Sequence, residues 1–274
     1  MAYNLKWSPN HPGHIVYLID YSGSMGWEEN KRINKLLDIL SVVCDRLIAN
    51  DSMNAPLDNG ATVSMFGYNS EVFDLFFGDF KKLDQYLDTQ SPLFKDNPKA
   101  KPQWQTYMAD AFDSARRDIE QWIEKQKQSG KPIPAPIVIN ITDGIPEEGD
   151  NDPNHTKAMA RAKTAAQKLM DVSVPDGNVL LFNIHIMEGG NPLVFPSSRP
   201  SNPNHPEQQF LFDISSQLNE DQIACARGKQ IDEAQHGSRF MATSLSDYNK
   251  LLRLIEFGST VSQLSNTRTE QVKQ

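Results

Sequence analysis

Apolar residues in this chain fall into two rhythms, short unbroken runs and longer stretches spaced by three and four, and their alternation predicts strands exchanging with helices. The run Ile15, Val16, Tyr17, Leu18, Ile19, inside a segment from His14 to Asp20, has the length and β-branching of a strand covered on both faces. From Asn30 to about Ala49, Ile33, Leu36, Leu37, Leu40, Val43 and Leu47 draw one apolar stripe along a helix. Ala61 to Gly67 and Glu71 to Phe77 read as two strands, and the brief connection through Tyr68, Asn69 and Ser70 makes them an antiparallel hairpin. A short helix over Phe80 to Asp88 precedes Thr89 to Gln105, which has no period and contains Pro92, Pro98 and Pro102.

The second half repeats the design. Met108, Phe112, Ala115, Ile119 and Trp122 mark a helix from Tyr107 to Lys127, with Asp110 at its positive end. Pro136 to Thr142 is a buried strand, Thr156 to Met170 a helix, and Asn178 to Met187 a further strand. Five prolines between Gly189 and Gln209 exclude regular structure there and suggest a surface insertion. A helical stretch after Asn219, a strand over Arg239 to Thr243 and a helix over Leu245 to Glu256 close the pattern. Residues 1–13 read as an irregular arm and 259–274 as a polar tail, leaving 14–258 as one domain with an insertion at 189–209. Strands alternating with helices imply right-handed crossovers: an α/β fold with a doubly wound, mostly parallel sheet, one antiparallel edge strand and helices on both faces. Its ligands belong at the carboxyl ends of the strands.

Composition narrows the function. A chain of 274 residues, 38% hydrophobic, can bury one substantial core. A net charge of −8 disfavours general nucleic-acid affinity, which depends on neutralising phosphates. Cys44 and Cys225 lie far apart in no metal spacing and read as small core residues in a reducing compartment. The N-terminus has no basic-then-apolar signal and no run is long enough to cross a membrane, so a cytoplasmic protein is expected.

Chemistry collects where the strands end. Asp20 is followed by Ser22 and Ser24, with Gly23 and Gly26 permitting a sharp turn: one acid and two alcohols, which suit a hard cation. The second buried strand also ends on an acid, Asp143, followed by Gly144, and Thr106 falls at or just before a helix N-terminus. The dinucleotide and phosphate-loop signatures are missing after the first strand. Ser22 stands where a nucleophile elbow needs glycine, and an aspartyl-phosphate mechanism through Asp20 lacks a second acid two residues on. Singly, Asp20, Ser22 and Ser24 could be mere turn chemistry. His185 reads as a satisfied core histidine, His155 as a residue leading into a helix, and Glu147 to Asp152 as a solvated acidic loop.

With D-x-S-x-S at Asp20, a threonine opening a later helix and an Asp-Gly ending a later strand, residues 14 to 257 resemble the von Willebrand factor A (vWA) domain and its metal-ion-dependent adhesion site. The resemblance implies Asp20, Ser22, Ser24, Thr106 and Asp143 as the metal ligands. Pro102-Gln103-Trp104-Gln105 stands in place of the glycine-rich lead-in often found before that threonine. Five oxygen donors without His or Cys suit Mg²⁺, Mn²⁺ or Ca²⁺, and an octahedral ion would keep one position for an acidic side chain of a partner. Tyr21, Met25, Trp27, Tyr107 and Ile145 are candidate rim residues for that contact. The segments NIHIM (Asn183 to Met187), LFDISSQL (Leu211 to Leu218) and RFMATSLSDYNKLLRLIEFGST (Arg239 to Thr260) are similar to the bacterial tellurite-resistance TerY-type vWA proteins. That likeness implies a cytoplasmic adaptor in signalling or stress response, with a PP2C-type phosphatase or a protein kinase as partner. A metal-dependent phosphohydrolase and a scaffold with a vestigial metal site are the alternatives.

Overall fold

The computed structural model describes residues 3, 5, 7–54, 61–89, 93–94, 96–149, 152–187, 193–202, 205–243 and 248–260. Its strands are β1 (His14–Asp20), β2 (Thr62–Tyr68), β3 (Val72–Asp79), β4 (Ile137–Thr142), β5 (Ser173–Val174), β6 (Gly177–Asn178), β7 (Leu180–His185) and β8 (Met241–Thr243). Six of them form one sheet in the order β3-β2-β1-β4-β7-β8. All neighbours are parallel except β2 and β3, which form the expected hairpin with β3 at the edge. A separate two-stranded ribbon joins β5 to β6, so the long strand expected over Asn178 to Met187 is divided at Val179.

The sheet separates two apolar layers. On one face Ile15, Tyr17 and Ile19, with Ile137, Ile139, Ile141 and Phe182, meet the stripe of α1 (Trp27–Asn54) and the inner side of α7 (Tyr248–Thr260). On the other, Val16, Leu18, Val138 and Leu181 meet α3 (Met108–Ser129), α4 (Thr156–Met170) and α5 (Pro206–Asp213). Two further helices among the described residues are α2 (Phe80–Thr89) and α6 (Glu220–Gly228). Local chemistry sets several ends. Gly130, at φ 68°, takes the left-handed conformation that closes α3, and Asn219 with Gln222 forms a capping box at α6. Gly258 lets α7 press on the sheet, since a Cβ there would lie 2.5 Å from the Phe182 ring.

Four expectations change. The 189–209 segment is not a surface excursion throughout: Phe195 is fully buried in an aromatic group with Phe182, Phe240 and Phe257, Val194 pairs with Ala242, and Pro206 to Gln209 open α5. Proline forbids regular hydrogen bonding without forbidding burial. The first helix is longer than its apolar stripe, running from Trp27 to Asn54. The polar tail begins later than 259, because α7 reaches Thr260 and the Ser259 hydroxyl sits 2.6 Å from the Tyr17 hydroxyl in the core. The acidic loop is solvated at Asp152, which accepts from the backbone N–H groups of Thr156 and Lys157 at the start of α4, but not at Glu148, whose side chain is 12% exposed and pairs with Arg161. The segments 188–192, 203–204, 244–247 and 261–274, and residues 1, 2, 4 and 6 of the arm, lie outside the described residues.

Candidate metal centre

The site forms where β1 and β4 lie adjacent and parallel, β1 ending on Asp20 and β4 followed directly by Asp143. Their register pairs Leu18 with Asn140, so Asp20 and Thr142 come side by side at the same lip of the sheet. Asp20 is fully buried: its Oδ1 accepts from the Ser22 N–H at 2.7 Å and its Oδ2 from the Thr142 hydroxyl at 2.6 Å. Residues Gly23–Gly26 then coil into a 3₁₀ turn leading into α1. That turn places the Ser24 hydroxyl to donate to Asp143 Oδ1 at 2.7 Å, and Ser22 Oγ lies 3.1 Å from Ser24 Oγ.

Thr106 is held by its backbone to the loop after Asp143. The aperiodic segment before α3 is stitched down at three points: Gln103 N–H donates to Tyr21 O at 2.8 Å, Tyr107 N–H to Asn69 O at 2.8 Å, and Thr106 exchanges backbone bonds with Glu147 at 2.9 and 3.2 Å. The segment thus joins the Asp20 turn, through Gln103, to the loop after Asp143, through the buried Thr106. The structure brings Asp20, Ser22, Ser24 and Asp143 together through hydrogen bonds, whereas Thr106 is tied by its backbone to Glu147 in the loop after Asp143 and not by its hydroxyl to those four.

Burial governs the electrostatics. Asp20 is pushed up to about 7, first by desolvation and then by the charge of Asp143, against the bonds from Thr142 and Ser22. Asp143, its side chain 1% exposed, pairs with Arg32 of α1, whose Nη1 lies 2.7 Å from Oδ2. His185, at the end of β7, is in the core, with Nε2 3.3 Å from the Asp143 carbonyl oxygen and a pKa pushed down by burial, but its buried Nδ1 has no hydrogen-bond partner among the described residues, so it is not the satisfied histidine expected.

Beneath the site, the sheet face carries a chain of buried polar side chains bonded to one another. Tyr68 donates to Asn140 Oδ1 at 2.8 Å, Asn140 Nδ2 to Asn183 Oδ1 at 2.9 Å, and Asn183 Nδ2 to Ser215 Oγ at 3.0 Å, all buried. A network in which each member has a partner can sit in a core where an orphan could not.

The donor set fits a hard divalent ion. Among the described residues no three His, Cys, Asp or Glu side chains gather as a metal cluster; this centre has two carboxylates and otherwise hydroxyl oxygen. A cation already stands at one of those carboxylates, since the Arg32 guanidinium is held there. Arg32 and Thr142 escaped sequence reasoning. Thr142 precedes Asp143 directly, and that adjacency was the available signal; a lone arginine in α1 offered none.

The rim differs from expectation. Tyr21 and Met25 are core residues, Tyr107 and Ile145 are half-buried, and the side chain of Trp27 lies outside the described residues. The exposed aromatic at the site is Trp104, 90% accessible, whose Cα would be 3.3 Å from a Cβ at Gly23. Both cysteines are free, Cys44 buried and Cys225 half-buried. Among the described residues no helix is long and apolar enough to cross a membrane.

No protein-family model matches the chain, and no curated protein sequence matches it. Solved structures do. The vWF domain of the type V pili tip protein Mfa5 from Porphyromonas gingivalis aligns with TM-score 0.52 at 13% identity, over 90% of this chain and 96% of that one. Manganese-loaded TRAP protein from Plasmodium vivax aligns with TM-score 0.51 at 20% identity, over 90% and 72%. Proximal thread matrix protein 1 from the mussel byssus, with a zinc-occupied MIDAS motif, aligns with TM-score 0.51 at 14% identity, over 94% and 47%. The chain spans under half the length of that mussel protein. At these identities the likeness is one of fold, and the fold is that of vWA domains.

Proposed function

We propose that the chain is a non-enzymatic interaction module in which Asp20, Ser22, Ser24, Thr106 and Asp143 hold a divalent cation, Mg²⁺ first with Mn²⁺ or Ca²⁺ as substitutes, and a partner protein's carboxylate completes the coordination. The observation that carries this reading is the Ser24–Asp143 bond of 2.7 Å beside a fully buried Asp20, which draws oxygen ligands from two distant turns to one point. Neighbouring folds named as manganese-loaded and as zinc-occupied support a divalent ion at such a lip. When bound, the ion would supply a fixed positive charge that offsets two buried acids and attracts a third.

One such contact cannot meet the entropy cost of association, so the surrounding surface must contribute. Trp104 supports that role: an indole exposed to 90% beside the site is the residue type most often found at the centre of interfaces. The cellular setting belongs to the same proposal. The segments similar to TerY-type proteins support a role as a bacterial cytoplasmic adaptor in signalling or stress response, with a PP2C-type phosphatase or a protein kinase supplying the carboxylate.

Titration calorimetry with Mg²⁺ and Mn²⁺ on the wild type and on Ser22→Ala/Ser24→Ala tests the metal, and partner capture in Mg²⁺ against EDTA tests its use. Binding lost in the double variant and in EDTA is the expected result. Equal recoveries in every condition remove the metal from the mechanism, and turnover of a generic phosphoester lost in Asp20→Ala would move the protein to the enzyme class.

A further inference from the structure

The buried carboxylate of Asp143 is satisfied from two sides. Ser24 Oγ donates to Oδ1 at 2.7 Å, and Arg32 Nη1 donates to Oδ2 at 2.7 Å while lying 3.5 Å from the Ser24 carbonyl oxygen. The guanidinium is 11% exposed and the carboxylate 1%, so this is an ion pair largely removed from water, unlike the surface pairs elsewhere on the chain. Its positive head sits between the Ser24 turn and Asp143, where the divalent ion of the proposed function would also be attracted.

We infer that Arg32 is the resident counter-cation of Asp143: it keeps the ion-free site folded and weakens the hold of the site on divalent ions. The inference rests on the metal-centre reading above. Removing Arg32 leaves two buried acids without a fixed cation, which destabilises the ion-free protein, and the same removal takes a repelling charge away from an incoming ion. Stability and ion affinity therefore move in opposite directions. A positive charge about 6 Å from a divalent ion opposes its binding about tenfold even at the dielectric constant of water. A site weakened in this way gains most from an added carboxylate, so partner and ion strengthen each other's binding by one factor.

The experiment uses the full chain with Mg²⁺ and Mn²⁺ alone as probes, reading the dissociation constant by calorimetry and the melting temperature in EDTA. Arg32→Gln should bind Mg²⁺ at least about tenfold more tightly than wild type and melt lower in EDTA. Arg32→Lys, which keeps the charge, should stay near wild-type affinity, and it serves where the glutamine variant does not fold without metal. Equal or weaker Mg²⁺ binding in Arg32→Gln overturns the inference, as does an equal gain in Arg32→Lys. Unchanged affinity in a protein that does bind the ion removes Arg32 alone, whereas absence of ion binding in wild type and both variants removes the metal centre with it.

Discussion

Ser24 and Asp143, separated by 119 positions in sequence, are joined by a hydrogen bond of 2.7 Å that ties the turn after β1 to the turn after β4. Ser24→Ala deletes that donor while leaving Arg32 on the other carboxylate oxygen. The loss should cost about 1–3 kcal/mol of stability in EDTA, the range for a hydrogen bond to a buried charged acceptor. Because the same hydroxyl is a proposed ligand, Mg²⁺ affinity should fall at least about tenfold, the effect of one such interaction of about 1.4 kcal/mol. Calorimetry on the variant checks both, and an unchanged dissociation constant would take Ser24 out of the ligand set.

Asp20 gives the pH dependence. Its folded pKa, about 7, lies above the ordinary carboxylate value near 4, so its contribution to stability is full below about pH 4 and is lost as pH rises towards 7. Asp20→Asn keeps the shape and cannot ionise. In EDTA the variant should gain on wild type in melting temperature between pH 5 and pH 8 by about 5 °C or more, since a tenfold change in proton affinity between the folded and unfolded chain is worth about 1.4 kcal/mol. Mg²⁺ should raise wild type at pH 8 and leave Asp20→Asn unmoved. A constant difference across pH would mean that Asp20 titrates normally.

How much of this was legible follows from what each feature depends on. The strand ending on Asp20 and the helix Thr156–Met170 are set by local runs and periods, and sequence spacing locates both. The layered order and the antiparallel edge at β3 follow from a short connection and from crossover rules. That Asp20 and Asp143 share one lip was readable from two parallel strands followed by acids, but the meeting of Ser24 with Asp143 was readable only through a resemblance, because no local rule brings residue 24 to residue 143. Arg32 and Trp104 were illegible for a different reason. Whether an arginine in an amphipathic helix turns to solvent or to a buried acid, and whether a tryptophan in a proline-rich loop is covered, depend on tertiary placement that composition does not encode.

Trp104 should matter to binding and not to folding. At 90% exposure it has little packing to lose, so Trp104→Ala should change stability by no more than about 0.5 kcal/mol. Affinity for a partner isolated in Mg²⁺ should fall by about 2 kcal/mol, the threshold of an interface hot spot, with Mg²⁺ affinity unaltered. Denaturant melts and calorimetry on the one variant separate the two. A full-affinity Trp104→Ala protein would place the partner elsewhere on the surface.

Phe195 reverses that expectation although it too lies among prolines. Its ring is fully buried, 5.4 Å from Phe257 and 5.8 Å from Phe182 between centroids. Phe195→Ala should cost about 3–5 kcal/mol by emptying that space, a loss visible as a lower denaturant midpoint with little change in slope. A substitution cost under about 1 kcal/mol would return the segment to the surface role its composition suggests.

Ser259 carries the last prediction, because it decides where the domain ends. Its hydroxyl donates to the Ile255 carbonyl at 2.7 Å and lies 2.6 Å from the hydroxyl of Tyr17, in the centre of β1. Tyr17 is fully buried, and burial drives its pKa far upward, so the phenol stays protonated and needs an acceptor. Ser259→Ala removes that acceptor without altering the helix, and the orphaned phenol should cost about 1–3 kcal/mol. Tyr17→Phe should cost less than Ser259→Ala, and the double variant should restore most of the loss, since replacing both partners of a buried bond by apolar groups is nearly neutral. Truncation after Phe257 should destabilise beyond either point substitution. A chain ending at Phe257 that melts like wild type would show that the core of β1 closes without the last turn of α7.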